Sequence, residues 1–174
     1  MEPQSTPNTQ IGACQDRLDA LSKQIIGCAV TVMRTLGTGF LEKVYENALV
    51  HELRKAGITV AQQHRMVVRY NDVVVGDYTV DLLVENIVLV ELKVAGAIDD
   101  IHRAQCLNYL KATGLRLCLL LNFGRLRLEI QRKWSGTSQA LLRTLRVWRA
   151  LRFPIDRTIN IGRPRSRETG PRHA

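Results

Sequence analysis

Residues Tyr78–Val94 read YTVDLLVENIVLVELKV. Valine, leucine and isoleucine dominate the run, a composition that favours extended backbone. Glu85-Asn86 divides it into two strands by supplying turn residues. Asp81 stands in the first strand, and Glu91 and Lys93 stand in the second. Ionised side chains are seldom buried without partners, so three of them among aliphatics need a joint explanation. Glu91 and Lys93 are two apart and share one face of their strand, while Val90, Leu92 and Val94 turn toward the core.

The place of Asp81 depends on register. If paired positions sum to 172, Asp81 lies directly across from Glu91 on the same face. A two-residue turn at Glu85-Asn86 gives a sum of 171 and sends the two acids to opposite faces. Convergence therefore requires an odd-numbered loop or a bulge, and Asn86 tolerates the left-handed backbone of such a loop. Two converging carboxylates repel unless a cation or proton intervenes. A hard divalent ion held by carboxylate and backbone oxygens meets that need. Such an ion polarises a phosphoryl oxygen and activates water, and Lys93 beside it can orient that water or offset charge on the phosphate. For Glu91 and Lys93 alone, a salt-bridged pair on a half-exposed sheet is the plainer alternative.

Outward from this segment the periodicity changes. Leu18, Leu21, Ile25, Ile26, Ala29, Val30 and Met33 recur at helical spacing and predict a helix from Asp16 to Leu36, broken by Gly37 and Gly39. Leu41, Val44, Tyr45, Ala48, Leu49 and Leu53 predict a second helix over Phe40–Ala56. Strands are expected at Ile58–Tyr70, Val73–Val84 and Ile87–Val94, with Asn71-Asp72 turning the first pair. A helix over Asp99–Ala112 follows, then strands at Leu115–Leu121 and Leu126–Arg132 around an Asn122-Phe123-Gly124 turn. Two helices, three strands, a helix and two strands make an α/β or α+β layer with a mixed sheet.

The chain has 174 residues, which suits one domain. Residues 1–14 read as a flexible leader, 15–134 as the domain, and 135–174 as an Arg-rich, partly disordered extension. The leader lacks the basic start and apolar stretch of a secretory signal. No apolar run is long enough for a membrane span. Residues 135–174 contain nine arginines and two acids, a net of +7 within the total of +9. The domain itself thus gives little electrostatic sign of a polyanion partner. Arg143, Arg146, Arg149 and Arg152 recur every third residue and suggest a short basic helix over Ala140–Phe153. The cysteines Cys14, Cys28, Cys106 and Cys118 form no CxxC pair, and read as small buried hydrophobes of a reducing cytosol.

Asp81, a short hairpin and Glu91-Leu92-Lys93 resemble the PD-(D/E)XK nuclease motif. Gln105 and Tyr109 on the following helix resemble the QxxxY motif of its RecB-like branch. Gly39-Phe40-Leu41-Glu42-Lys43-Val44-Tyr45 matches the signature of the bacterial GxxExxY proteins. The resemblance runs from Ile25 to Lys133 and departs in one respect: Thr79-Val80 replaces the motif's proline-like residue. It implies a restriction-endonuclease-like core, a central mixed sheet flanked by helices. It implies that Asp81, Glu91 and the Leu92 carbonyl hold Mg²⁺ or Mn²⁺, with Glu42 adding a carboxylate directly or through water. Gln105 and Tyr109 would position Lys93 and the scissile phosphate.

Other polar residues have plainer readings. Tyr45 lies on a buried stripe, His102 reads as a solvated helix residue that could reach phosphate, and Asp77, Asp99 and Asp100 read as turn or capping acids. The expectation is therefore a cytoplasmic, Mg²⁺-dependent nuclease acting on DNA, or less readily RNA, with no membrane association. The alternatives are a catalytically weak or inactive nucleic-acid-binding module of the same fold, or a dimeric structural or regulatory subunit, and the chain could form a homo-oligomer.

Overall fold

Two helices begin the chain because its apolar residues repeat every three to four positions, and the strands begin where that spacing gives way to alternation. The computed structural model describes residues 7–136. Its elements are α1 (Pro7–Leu36), α2 (Glu42–Lys55), β1 (Val60–Tyr70), β2 (Val73–Val84), β3 (Val88–Lys93), α3 (Asp100–Thr113), β4 (Leu117–Asn122) and β5 (Glu129–Trp134). The strands form one sheet in the order β1-β2-β3-β4-β5. β3 and β4 are parallel and the other neighbours antiparallel. Helix α3 is the crossover that a parallel pair requires.

Each face of the sheet has its own core. Leu18, Ile25 and Ala29 of α1 and Leu49 and Leu53 of α2 pack on Leu82, Val84, Val90, Leu92 and Leu119. Cys106, Tyr109 and Leu110 of α3 pack on the other face, against Val80, Leu83, Leu89, Cys118 and Leu120. β3 and β4 are covered on both faces, so their residues are almost continuously apolar. This is an α+β fold, a central mixed sheet flanked by helices.

Several boundaries differ from the sequence reading. Helix α1 begins at Pro7 and not Asp16, reaching back into the stretch read as a leader. Cys14, one turn before Leu18, packs on the same cluster and extends the buried stripe, and proline suits a first helical turn. β5 starts at Glu129 and not Leu126, because Leu126 stands 91% exposed in the loop after β4. Val94 is exposed and not in the core, since β3 ends at Lys93, whose carbonyl accepts from the Phe123 amide at 2.7 Å. Cys106 and Cys118 are buried but Cys14 and Cys28 only half-buried, and all four are free thiols. The basic helix read over Ala140–Phe153 lies outside the described residues.

One irregularity matters for the site. Val60 and Leu82 pack toward α1 and α2, whereas Met66 and Val80 pack toward α3. Even-numbered residues of a regular strand share a face, so both strands change sides, β1 between Val60 and Met66 and β2 between Val80 and Leu82. Gln63 and Asp81 sit within those breaks, flanked by the pairs Gln62↔Leu82 and His64↔Val80.

Candidate active site

The β2–β3 connection settles the register. Leu82 pairs with Val90, Leu83 with Leu89 and Val84 with Val88, so partners sum to 172. The connection is the three-residue loop Glu85-Asn86-Ile87, with Glu85 and Asn86 at φ 50° and 58°. The odd loop directs Asp81 toward Glu91. The ladder stops at Leu82, and beyond it the Asp81 carboxylate accepts the Leu92 amide at 2.8 Å. A side chain thus takes the place of a main-chain acceptor, and Asp81 is fixed against the peptide that follows Glu91.

Glu91 is 2% exposed. Its Oε1 accepts from Lys93 Nζ at 2.8 Å, while Oε2 is buried with no hydrogen-bond partner. Burial, then the neighbouring Asp81 charge, pushes its pKa up to about 7. Burial likewise raises Asp81, with the Leu92 amide pulling the other way. Burial works against the charge of Lys93, but the bond to Glu91 and the charges of Glu91, Glu42 and Asp81 outweigh it and its pKa rises. Two carboxylates and an ammonium therefore form one coupled electrostatic unit.

Glu42 opens α2, and its carboxylate stands 4.0 Å from Lys93 Nζ. Burial raises its pKa against the pull of Lys93. Tyr45 explains the residues around it. The Tyr45 hydroxyl donates to the Gly37 carbonyl at 2.8 Å and accepts from the Phe40 amide at 3.3 Å. Its ring stacks on Phe123 at 4.7 Å. Gly37 and Gly39 take φ 69° and 105°, the second open only to glycine. Tyr45 thus pins the loop that presents Glu42, and its role is packing and support.

On α3, Gln105 Nε2 donates to Tyr109 Oη at 2.5 Å, and that hydroxyl donates to the Thr79 carbonyl at 3.2 Å. The pair braces β2 two residues before Asp81. Neither side chain hydrogen-bonds Lys93. His102 is a capping residue: Asp99 accepts its amide at 2.9 Å and its Nδ1 accepts the Asp99 amide at 3.3 Å. Asp77 pairs with Arg65 across the hairpin and Asp100 with Arg103.

Two residues of this site escape the sequence reading. Glu46 is 3% exposed, with Oε1 accepting from Lys43 at 2.8 Å and from Gln63 at 2.9 Å. Its spacing of four from Glu42, which places both on one face of α2, was the available signal. Gln63 had none, being one of several polar residues in an edge strand.

The strand end that carries Lys93 is also locked. Asn122 is fully buried; its Oδ1 accepts from the Ala95 amide at 3.0 Å and the Gly124 amide at 2.9 Å, and its Nδ2 donates to the Ala95 carbonyl at 2.9 Å. A Cβ on Gly124 would lie 2.4 Å from the Ala95 backbone.

A family model of the PD-(D/E)XK nuclease superfamily matches residues 19–133. The chain belongs to that superfamily. No curated protein and no solved structure gives a match. The matched span contains α2, β1 to β4, α3 and all but the last residue of β5, and superfamily membership points to nuclease-type activity on nucleic acid. Among the described residues no helix is long and apolar enough to cross a membrane.

Proposed function

We propose that this chain is a metal-dependent nuclease of the RecB-like, GxxExxY group, hydrolysing phosphodiester bonds of DNA in the cytoplasm. The observation that carries the reading is the buried, unpartnered Glu91 Oε2 beside Asp81 and Lys93. A buried acceptor of this kind is costly unless something occupies its lone pairs, and a cation answers both that need and the repulsion from Asp81. Among the described residues no three His, Cys, Asp or Glu side chains gather into a full cage. Mg²⁺ does not need one, being held by one or two carboxylates, waters and substrate phosphate. The donor set therefore fits: Asp81, Glu91 and the Leu92 carbonyl, with Glu42 contributing directly or through water.

When bound, Mg²⁺ or Mn²⁺ polarises a phosphoryl oxygen and lowers the pKa of its water. The protein's own groups do the rest. Glu91 keeps the Lys93 ammonium at 2.8 Å, where its positive charge can orient a water and stabilise charge on the phosphate. Asp81 is held rigid by the Leu92 amide. Tyr109 and Gln105 brace Thr79 and thereby the approach of β2 to the site. Retention of two acids and a lysine speaks for turnover over a binding-only role, since a pure binder has no need of two carboxylates near a polyanion.

The test is a cleavage assay on single-stranded, double-stranded and branched DNA, with RNA in parallel. Cleavage should require Mg²⁺ or Mn²⁺, stop with EDTA, and fall at least about a hundredfold in Lys93→Ala. Activity that survives EDTA, or persists in Glu91→Gln, overturns the reading.

A further inference from the structure

Gln63 is at φ 52° in the middle of β1, a left-handed conformation in a strand and at a residue other than glycine or asparagine. It stands at the position facing Asp81, where both strands change sides. Its carboxamide reaches two carboxylates: Nε2 lies 2.9 Å from Glu46 Oε1 and 3.4 Å from Asp81 Oδ1. Strained backbone of this sort persists only where its surroundings over-determine it, and it gathers at functional sites.

We infer that Gln63 is a positioning residue for the proposed metal site, its amide group bridging Glu46 and Asp81 and its left-handed backbone making that bridge possible. Glu46 is buried and takes the Lys43 ammonium on the same oxygen. A neutral donor with two hydrogens can serve both acids without adding charge. It separates a carboxylate that Lys43 neutralises from one that must stay available. A regular strand at Gln63 would keep the alternation that β1 and β2 both abandon here, and the amide would lose its place between the two acids. Gln63 touches no reacting atom and acts through the orientation of Asp81. Support of this kind around a ligand typically changes metal affinity ten- to a hundredfold.

The inference rests on the metal site proposed above, and the experiment separates the two. Full-length wild type, Gln63→Gly and Asp81→Asn are compared for Tm in EDTA and for Mn²⁺ affinity by calorimetry. Glycine accepts φ 52° without a Cβ penalty. Gln63→Gly should therefore melt within about 3 °C of the wild type while binding Mn²⁺ about tenfold more weakly. Wild-type affinity in Gln63→Gly overturns the inference, and so does a loss of Tm that accompanies the loss of affinity, which would make Gln63 a structural residue. If the glycine variant fails to fold, Gln63→Asn replaces it with the same readouts, since asparagine tolerates the left-handed backbone and carries a shorter amide. A wild type whose Mn²⁺ binding is absent, or equal in Asp81→Asn, sinks the metal site itself and the inference with it.

Discussion

The Leu92 amide is bonded to the side chain of Asp81, at 2.8 Å, and not to the β2 main chain. The consequence is a separation of roles that mutation can expose. Asp81→Asn keeps an oxygen for Leu92 and, by removing a partly buried charge that repels Glu91, should be no less stable than the wild type at neutral pH, yet it removes the charge proposed to hold a divalent ion. Asp81→Ala leaves the partly buried amide without its acceptor and should cost about 1–3 kcal/mol. Urea unfolding in EDTA distinguishes them, and calorimetry with Mn²⁺ should show weakened binding in both. Equal stability of the two variants would contradict the hydrogen bond's role.

Gly124 and Asn122 secure the end of β3 from which Lys93 projects. Gly124→Ala puts a Cβ against the Ala95 backbone at 2.4 Å, and backbone cannot yield as a flexible side chain would. The variant should lose about 2 kcal/mol or more. Asn122→Ala strips partners from the Ala95 and Gly124 amides and the Ala95 carbonyl, and should lose about 2–4 kcal/mol. Denaturant midpoints measure both, with unchanged m-values as the sign that the folded topology is retained.

The extension is testable by charge alone. Residues 135–174 contribute +7 of the formal +9, so a chain ending at Trp134 should bind DNA more weakly at low salt, with a shallower dependence of log K on log salt. Tm should change little, since every strand among the described residues ends by Trp134. An unaltered salt slope would mean that the arginines do not meet phosphate.

Fold and site were readable from the sequence to different depths. Convergence of Asp81 and Glu91 required either an odd-numbered loop or a bulge, and the three-residue loop Glu85-Asn86-Ile87 is the first of these. Helix α3 was legible because Asp99 and Gly114 mark its ends and both cap it. Glu46 and Gln63 were hidden for a physical reason. Glu46 is buried with Lys43 and Gln63 as its partners, one local and one from another element. Gln63 is special through a backbone angle set by tertiary surroundings, which no local pattern encodes. Leu126, an apolar residue read into a strand, lies in the loop because the strand resumes only at Glu129.

Glu91 makes the stability of the metal-free protein depend on pH. Without a divalent ion, Glu91 titrates near 7 because it is buried and faces Asp81. Its unfolded counterpart titrates near 4.5. A carboxyl whose native value lies above its unfolded one gives stability that is complete below the unfolded value and lost as pH rises through the native value. The EDTA-treated protein should therefore lose stability between about pH 4.5 and 7, by an amount on the order of 3 kcal/mol. Asp81 and Glu42 are raised too and act in the same direction. Lys93 is raised from 10.5 and stays protonated throughout, while Asp77 and Asp99 are lowered from 3.8 and titrate below the window. Glu91→Gln should flatten most of this slope. Mn²⁺ should reverse it in the wild type, because protons and metal compete for the same oxygens and binding strengthens as they ionise. Thermal melts at half-unit steps from pH 4 to 8, with EDTA and with Mn²⁺, give two curves that should diverge upward from about pH 5. Parallel curves would show that the metal does not bind at Glu91.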